Sequence, residues 1–231
     1  MKKILLLPVI YILFLYAPAF ADLAKGLDAA QKGDFVTALK EWKPLAEQGG
    51  DAAQFNLGSM YDNGQGVIQD YKAAVKWYTL AAEQGYSRAQ FNLGSMYENG
   101  QGIFQDYKAA VKWYTLAAEQ GYSRAQFNLG LMYDNGQGVT QDYKAAVKWY
   151  TLAAEQGYSR AQSNLGLMYN NGQGVIQNYT RAHMWYNISA SLGLEDAVKN
   201  REIIAKEMTA SQIEKAQTLA SECVAKKYKG C

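Results

Sequence analysis

A 36-residue sentence repeats along most of this 231-residue chain. Residues 87–122 read SRAQFNLGSMYENGQGIFQDYKAAVKWYTLAAEQGY. Residues 123–158 match them except at Ser95/Leu131, Glu98/Asp134, Ile103/Val139 and Phe104/Thr140. Residues 51–86 are an earlier copy and 159–194 a more diverged one, so four copies cover 144 residues. Such a period constrains the fold strongly. One short unit cannot bury its own apolar face, and stacked neighbours supply the missing core.

Each copy carries helix punctuation. Ser87, Ser123 and Ser159 precede Gln90, Gln126 and Gln162 by three residues, the spacing of a capping box, and Asp51 with Gln54 repeats it in the first copy. Ala89, Leu93, Met96 and Tyr97 then form one apolar helical stripe. Asn99-Gly100 predicts a helix stop, because Gly takes the left-handed conformation cheaply. Asp106 predicts the cap of a second helix, whose stripe is Ala110, Tyr114, Ala117 and Ala118 and whose end is Gly121. Gly94 and Ala110 are small where facing helices must approach closely.

The pattern Asn92-Leu93-Gly94, Met96-Tyr97, Gly100, Gly102, Asp106, Ala110, Trp113-Tyr114, Ala117-Ala118, Gly121 resembles the Sel1-like repeat, a relative of the tetratricopeptide repeat. The period of 36 agrees with that resemblance, whereas tetratricopeptide units run at about 34 residues. The resemblance implies an all-α, right-handed α-solenoid of stacked helix–loop–helix repeats, with units at 51–86, 87–122, 123–158 and 159–194.

The ends depart from the repeat, as terminal units should. Residues 22–50 read as a degenerate N-terminal capping repeat: Asp34, Ala38, Trp42, Ala46 and Gly49 stand 36 before Asp70, Ala74, Tyr78, Ala82 and Gly85. Its loop shrinks to Lys32-Gly33, and Pro44 predicts a distorted second helix. Residues 195–231 read as C-terminal capping helices, the last starting at Thr209 with Gln212 at capping-box spacing.

Lys2, Lys3, an apolar stretch to Tyr16 and Ala19-x-Ala21 read as a signal peptide, residues 1–21, cleaved after Ala21. The apolar stretch is shorter than the roughly 20 residues a membrane span needs. Removing it takes away two Lys and no acid, so the formal charge of +2 falls to zero, with 21 basic against 21 acidic groups. A periplasmic or secreted location follows, with no membrane attachment after cleavage and no nucleic-acid partner bound by bulk charge. In an oxidising compartment the two cysteines, Cys223 and Cys231, are expected to pair. Eight residues of unbroken helix rise about 12 Å, beyond the roughly 7 Å a disulfide tolerates, so the helix must break near 227–230.

Chemistry finds few footholds. Gly64-Gln65-Gly66 and its copies follow a helix rather than a strand and lack a phosphate-loop Lys. His183, the single histidine, has no second imidazole or Ser–His–Asp arrangement to join. β-Lactam binding or hydrolysis, attributed to cysteine-rich relatives, is a third-ranked reading, since S-x-x-K is missing and only the terminal cysteine pair is present. The expectation is a non-enzyme with no catalytic residues, cofactor or metal.

The remaining stripe is the candidate site. Phe55, Ser59 and Asp62 repeat as Phe91, Ser95, Glu98, as Phe127, Leu131, Asp134, and as Ser163, Leu167, Asn170, beside Asn56, Asn92, Asn128 and Asn164. The resemblance implies that this first helix lines a concave face where extended polypeptides bind. Aromatic and amide groups there suit peptide contacts, and the Phe rings equally suit packing between neighbouring helices. The expected function is an exported, monomeric interaction module binding another protein, with an inhibitor or immunity protein against a secreted effector as the alternative.

Overall fold

The computed structural model describes residues 22–231; the expected signal peptide lies outside the described residues. The described chain is all-helical and divides into two compact units, meeting in sequence at Gln105 and Asp106. The first unit holds α1 (22–31), α2 (Phe35–Glu47), α3 (Asp51–Asn63), α4 (Tyr71–Glu83) and α5 (Ser87–Asn99). The second holds α6 (Tyr107–Glu119), α7 (Ser123–Asn135), α8 (Tyr143–Ala154), α9 (Ser159–Asn171), α10 (Tyr179–Ser191), α11 (Glu195–Ala205) and α12 (Ala210–Ala225). Within each unit consecutive helices from α2 to α11 pack on one another, and α12 returns to α10. This is the stacked helix–loop–helix arrangement of an α-solenoid.

The second helix of each of the first three repeats starts where its Asp stands, and that of the fourth starts at Asn178. Asp70 Oδ1 accepts from the N–H groups of Lys72 and Ala73 at 2.9 and 3.1 Å, and Asp142 does the same for Lys144 and Ala145. Such a cap contributes about 1 kcal/mol. The first helices do not use the expected boxes. Their caps are Gly50, Tyr86, Tyr122 and Tyr158, none with a side-chain cap bond, and each Ser or Asp becomes the first helical residue. In the first copy Asp51 Oδ1 accepts from the adjacent Ala52 N–H, at 2.6 Å. The glutamine reaches back across the turn instead: Gln90 Nε2 donates to the Ala82 carbonyl at 3.1 Å, and Gln54, Gln126 and Gln162 likewise to Ala46, Ala118 and Ala154. These amides are buried, so a nearby helix-end carbonyl outcompetes an exposed helix start.

The core follows the predicted stripes. Leu57, Met60, Leu93, Met96, Leu129 and Met132 are at most 2% exposed, and each second helix buries a tyrosine: Tyr78, Tyr114, Tyr150 and Tyr186. Each such Leu contributes about 1.5–3 kcal/mol on burial. The ring of Tyr78 lies so close to α3 that a Cβ on Gly58 would stand 2.7 Å from it, and Gly130 meets Tyr150 in the same way. Gly102 has φ +69° and packs its bare Cα on the backbone of Tyr71, as Gly138 does on Tyr107. The Gly-Gln-Gly loops are therefore wedges against the preceding repeat's second helix.

The ends differ in two details. Helix α2 runs unbroken through Pro44, contrary to the distortion expected, with Trp42 and Ala46 buried on either side of the proline. Trp42 packs across Gly26 of α1 and donates its Nε1–H to the Leu23 carbonyl. At the other end α11 and α12 cover separate faces of α10. Ile204 and Met208 meet Ala182 and Tyr186, while Ala220 and Cys223 share a cluster with Met184, Trp185 and Ile188. The capping box at Thr209 and Gln212 forms as expected.

Candidate functional site

The first-helix stripe is not a free row. Phe55 is half-buried, its ring 5.9 Å from that of Tyr78 and 5.1 Å from that of Tyr86. Phe127 is 8% exposed and stands 5.9 and 5.2 Å from Tyr150 and Tyr158. Phe91 is half-buried, and Ser163, in the matching place of the fourth copy, is buried. The rings therefore lean on the following helix and turn, with only an edge towards solvent.

The polar members are bound into a tyrosine ladder. The Tyr78 hydroxyl on α4 donates to Asp62 Oδ2 on α3 at 3.2 Å, and it also bonds the side chains of Ser59 and, from the next repeat, Asn92. In the second unit Tyr150 donates to Asp134 Oδ2 at 3.1 Å and bonds Asn164 of α9. Burial, helped by the neighbouring Asp charge, pushes both phenols well above their ordinary range. Burial also raises Asp62 and Asp134, an effect the tyrosine hydroxyl partly opposes by donating to the carboxylate. Each hydroxyl thus joins three helices across two repeats.

The outward remainder is smaller than the stripe. Ser59 and Ser95 accept from Asn63 and Asn99 on their own helices. Asn56, Asn128, Glu98 and Leu131 are half-buried, and Leu167 is 40% exposed. Where repeats 87–122 and 123–158 differ, at Ser95/Leu131, Glu98/Asp134, Ile103/Val139 and Phe104/Thr140, no position is buried.

Some features carried no recognised signal in the sequence. Three loops project apolar side chains almost fully into water: Ile68, Phe104 and Ile176. Lys76, Lys112 and Lys148 lie 5.6, 5.4 and 5.2 Å from the rings of Trp77, Trp113 and Trp149. In the fourth copy Met184 replaces that lysine and Trp185 is buried beneath α12. The internal period could have flagged each, since each is a recurring position or a departure from one.

Cys223 and Cys231 are joined, with Cα atoms 5.5 Å apart, and the helix ends between them, at Ala225. Lys227, Tyr228 and Gly230 take positive φ, which turns the tail back. His183 is buried with Nδ1 unpartnered, and burial with the nearby Arg201 charge lowers its pKa. Among the described residues no group of three or more His, Cys, Asp or Glu is placed to hold a metal ion, and no helix is long and apolar enough to cross a membrane.

The Sel1 repeat family matches residues 51–86, 87–122, 123–158 and 159–194. The chain belongs to the Sel1-repeat family. A Sel1 repeat protein from Oxalobacter formigenes is 34% identical over 87% of this chain and 82% of that one, with a TM-score of 0.76. A protective antigen present in uropathogenic Escherichia coli strains, displaying the same fold, is 34% identical over 91% of this chain with a TM-score of 0.84. This chain spans only 47% of that protein. An immunity protein from Pseudomonas aeruginosa shares the fold at 21% identity, covering 91% of this chain and 84% of its own, with a TM-score of 0.50. No curated protein matches the sequence. Sel1 repeats are a protein-interaction fold.

Proposed function

We propose that this Sel1-repeat chain is an exported interaction module that binds a partner polypeptide along the outward edge of its first helices, on the concave face of the stack. The carrying observation is where two otherwise identical repeats diverge. Their buried residues are the same, and their four differences fall on partly or fully exposed positions, two of them on the first-helix stripe. Copies under packing constraint alone would tolerate change anywhere on the surface; change concentrated on one stripe and one loop suits a surface adapted position by position to a partner. The readable edge is then Phe55, Phe91, Asp62, Glu98, Leu131, Asp134 and Leu167, with Asn92 and Asn164 holding the ladder behind it.

Site-specific photo-crosslinkers at Leu131 and Leu167, with Thr218 of α12 as control, test this. A discrete adduct from the first two positions and none from the third is expected. Adducts indistinguishable from the control sink the reading. Export is read from the N-terminal pattern and fits both the terminal disulfide and the antigen described for the Escherichia coli relative. N-terminal sequencing of the mature protein should begin at Asp22.

Inhibition of a secreted effector is the second reading, since the same fold serves as an immunity protein in Pseudomonas aeruginosa. Protection of a cell carrying a neighbouring toxin gene distinguishes it from an adaptor. A purified sample is expected to leave nitrocefin intact.

A further inference from the structure

The C-terminal tail is itself a docked peptide. The Tyr228 ring lies over Gly157, where a Cβ would stand 3.2 Å from Cε2. The Gly230 N–H donates to Glu155 Oε1 at 3.0 Å, and Lys229 Nζ lies 3.9 Å from Oε2. Tyr228 and Cys231 also pack against the adjoining apolar cluster. An aromatic ring on a bare glycine and a lysine on a carboxylate hold the segment down.

The same turn recurs without its occupant. Glu83-Gln84-Gly85-Tyr86 and Glu119-Gln120-Gly121-Tyr122 repeat Glu155-Gln156-Gly157-Tyr158. The three glycines share a conformation, with φ of +90°, +86° and +81°. A Cβ on Gly85 or Gly121 would meet nothing within 4 Å. Glu83 and Glu119 are exposed and lie in no ion pair among the described residues, whereas Glu155 is half-buried under the tail. A glutamate closing a helix faces the negative end of the helix dipole, which costs about 0.3–1 kcal/mol. Local helix physics therefore disfavours this acid, and the tail shows a use for it. The fourth copy carries Ser191 there instead.

The geometry points to the turns at 83–85 and 119–121 as docking sites for a partner polypeptide segment that presents an aromatic residue followed directly by a lysine or arginine. The aromatic ring covers the glycine, the cation meets the glutamate, and the next backbone N–H donates to the same carboxylate. This surface is at the ends of the second helices, and its Glu83, Gly85, Glu119 and Gly121 are not residues of the first-helix stripe, so the two readings are tested at different residues.

The probe is a disulfide-closed synthetic peptide with the sequence of residues 219–231, titrated into the full chain labelled with nitrogen-15. Saturable shifts of the Gly85 and Gly121 amides are expected, with a dissociation constant on the order of 1 mM, because an exposed ion pair adds little. Gly193, whose turn lacks the glutamate, is the internal control and should stay still. Glu119→Lys should weaken the response at Gly121 by about fivefold or more and leave Gly85 unchanged. Equal shifts at Gly193, or an unchanged response to a peptide carrying Tyr228→Ala, overturn the assignment. So does a response confined to Gly157, which would mean that only the tail's own site binds. Shifts that grow with protein concentration alone would make a second copy's tail the occupant and likewise overturn a partner's segment.

Discussion

Leu192→Gln should stabilise the protein. The buried glutamines form a relay in which Gln54 Nε2 donates to the Ala46 carbonyl and its Oε1 accepts from Gln84 Nε2 at 2.8 Å. Gln126 and Gln156 repeat the second bond at 2.8 Å. In the last repeat Gln162 is fully buried and keeps its bond to Ala154, but its Oε1 has no partner, because the residue 30 positions on is Leu192 rather than glutamine. A buried acceptor left unmade costs about 1–3 kcal/mol. The new side chain loses part of the burial of a leucine already 44% exposed, and pays for ordering its amide, together about 1 kcal/mol. The net gain is about 1 kcal/mol, a rise of about 2–4 °C in Tm for a chain of this length. Backbone conformation is no obstacle, since Leu192 (φ −92°, ψ 10°) and Gln84 (φ −80°, ψ 0°) nearly coincide. Thermal and urea denaturation of both Leu192→Gln and the reciprocal Gln84→Leu measure the effect. The second variant orphans Gln54 and should lose about 1–3 kcal/mol. A Leu192→Gln variant no more stable than its parent, with Gln84→Leu costing as expected, refutes the claim that the orphaned oxygen carries a penalty.

The disulfide closes a short loop, so replacing both Cys223 and Cys231 by Ser should cost about 2–3 kcal/mol, read as earlier loosening of α12 and a red shift of Trp185 emission. Asp62 and Asp134 have folded pKa values raised by burial, so the native state holds their protons more tightly than the unfolded chain. Their contribution to stability therefore falls as pH rises through the window just above the ordinary carboxylate pKa, near 4. The double Asp→Asn variant should gain stability relative to its parent at pH 7 and lose that advantage at pH 3; a pH-independent difference contradicts the assignment. His183 has a lowered folded pKa, so its contribution is present above about pH 6.5 and lost as pH falls below it. His183→Val, the residue at the matching Val147, should flatten that limb of the stability curve.

The period made the helices, their order and most of the core legible, because a stripe such as Ala89, Leu93 and Met96 has one way to be buried in a stacked pair. The Asp caps were legible for the same local reason: Asp70 bonds the N–H groups two and three residues on. The glutamines were not. At capping-box spacing Gln90 faces two possible partners, its own helix start and the Ala82 carbonyl across the turn, and only the turn's geometry brings the second within 3.1 Å. The stripe of Phe55 and Asp62 was equally ambiguous. Spacing puts the two on one helical face, and whether that face meets water or Tyr78 depends on where the next helix lies.

What the sequence determined by itself was therefore what local spacing sets: helix spans, helix stops and the buried tyrosine of each second helix. Only the tertiary structure decided which polar groups are spent internally. Asp62 and Tyr78 are on different helices of one repeat and Asn92 is in the next, and helix packing joins them in one network. The tail on Glu155 is a contact across 75 residues that no local pattern encodes, because it forms only after α11 and α12 have folded back over the last repeat. A hydrogen bond is directional and short-ranged, so its partner is chosen by the packed backbone, whereas an apolar side chain needs only to be on the buried side.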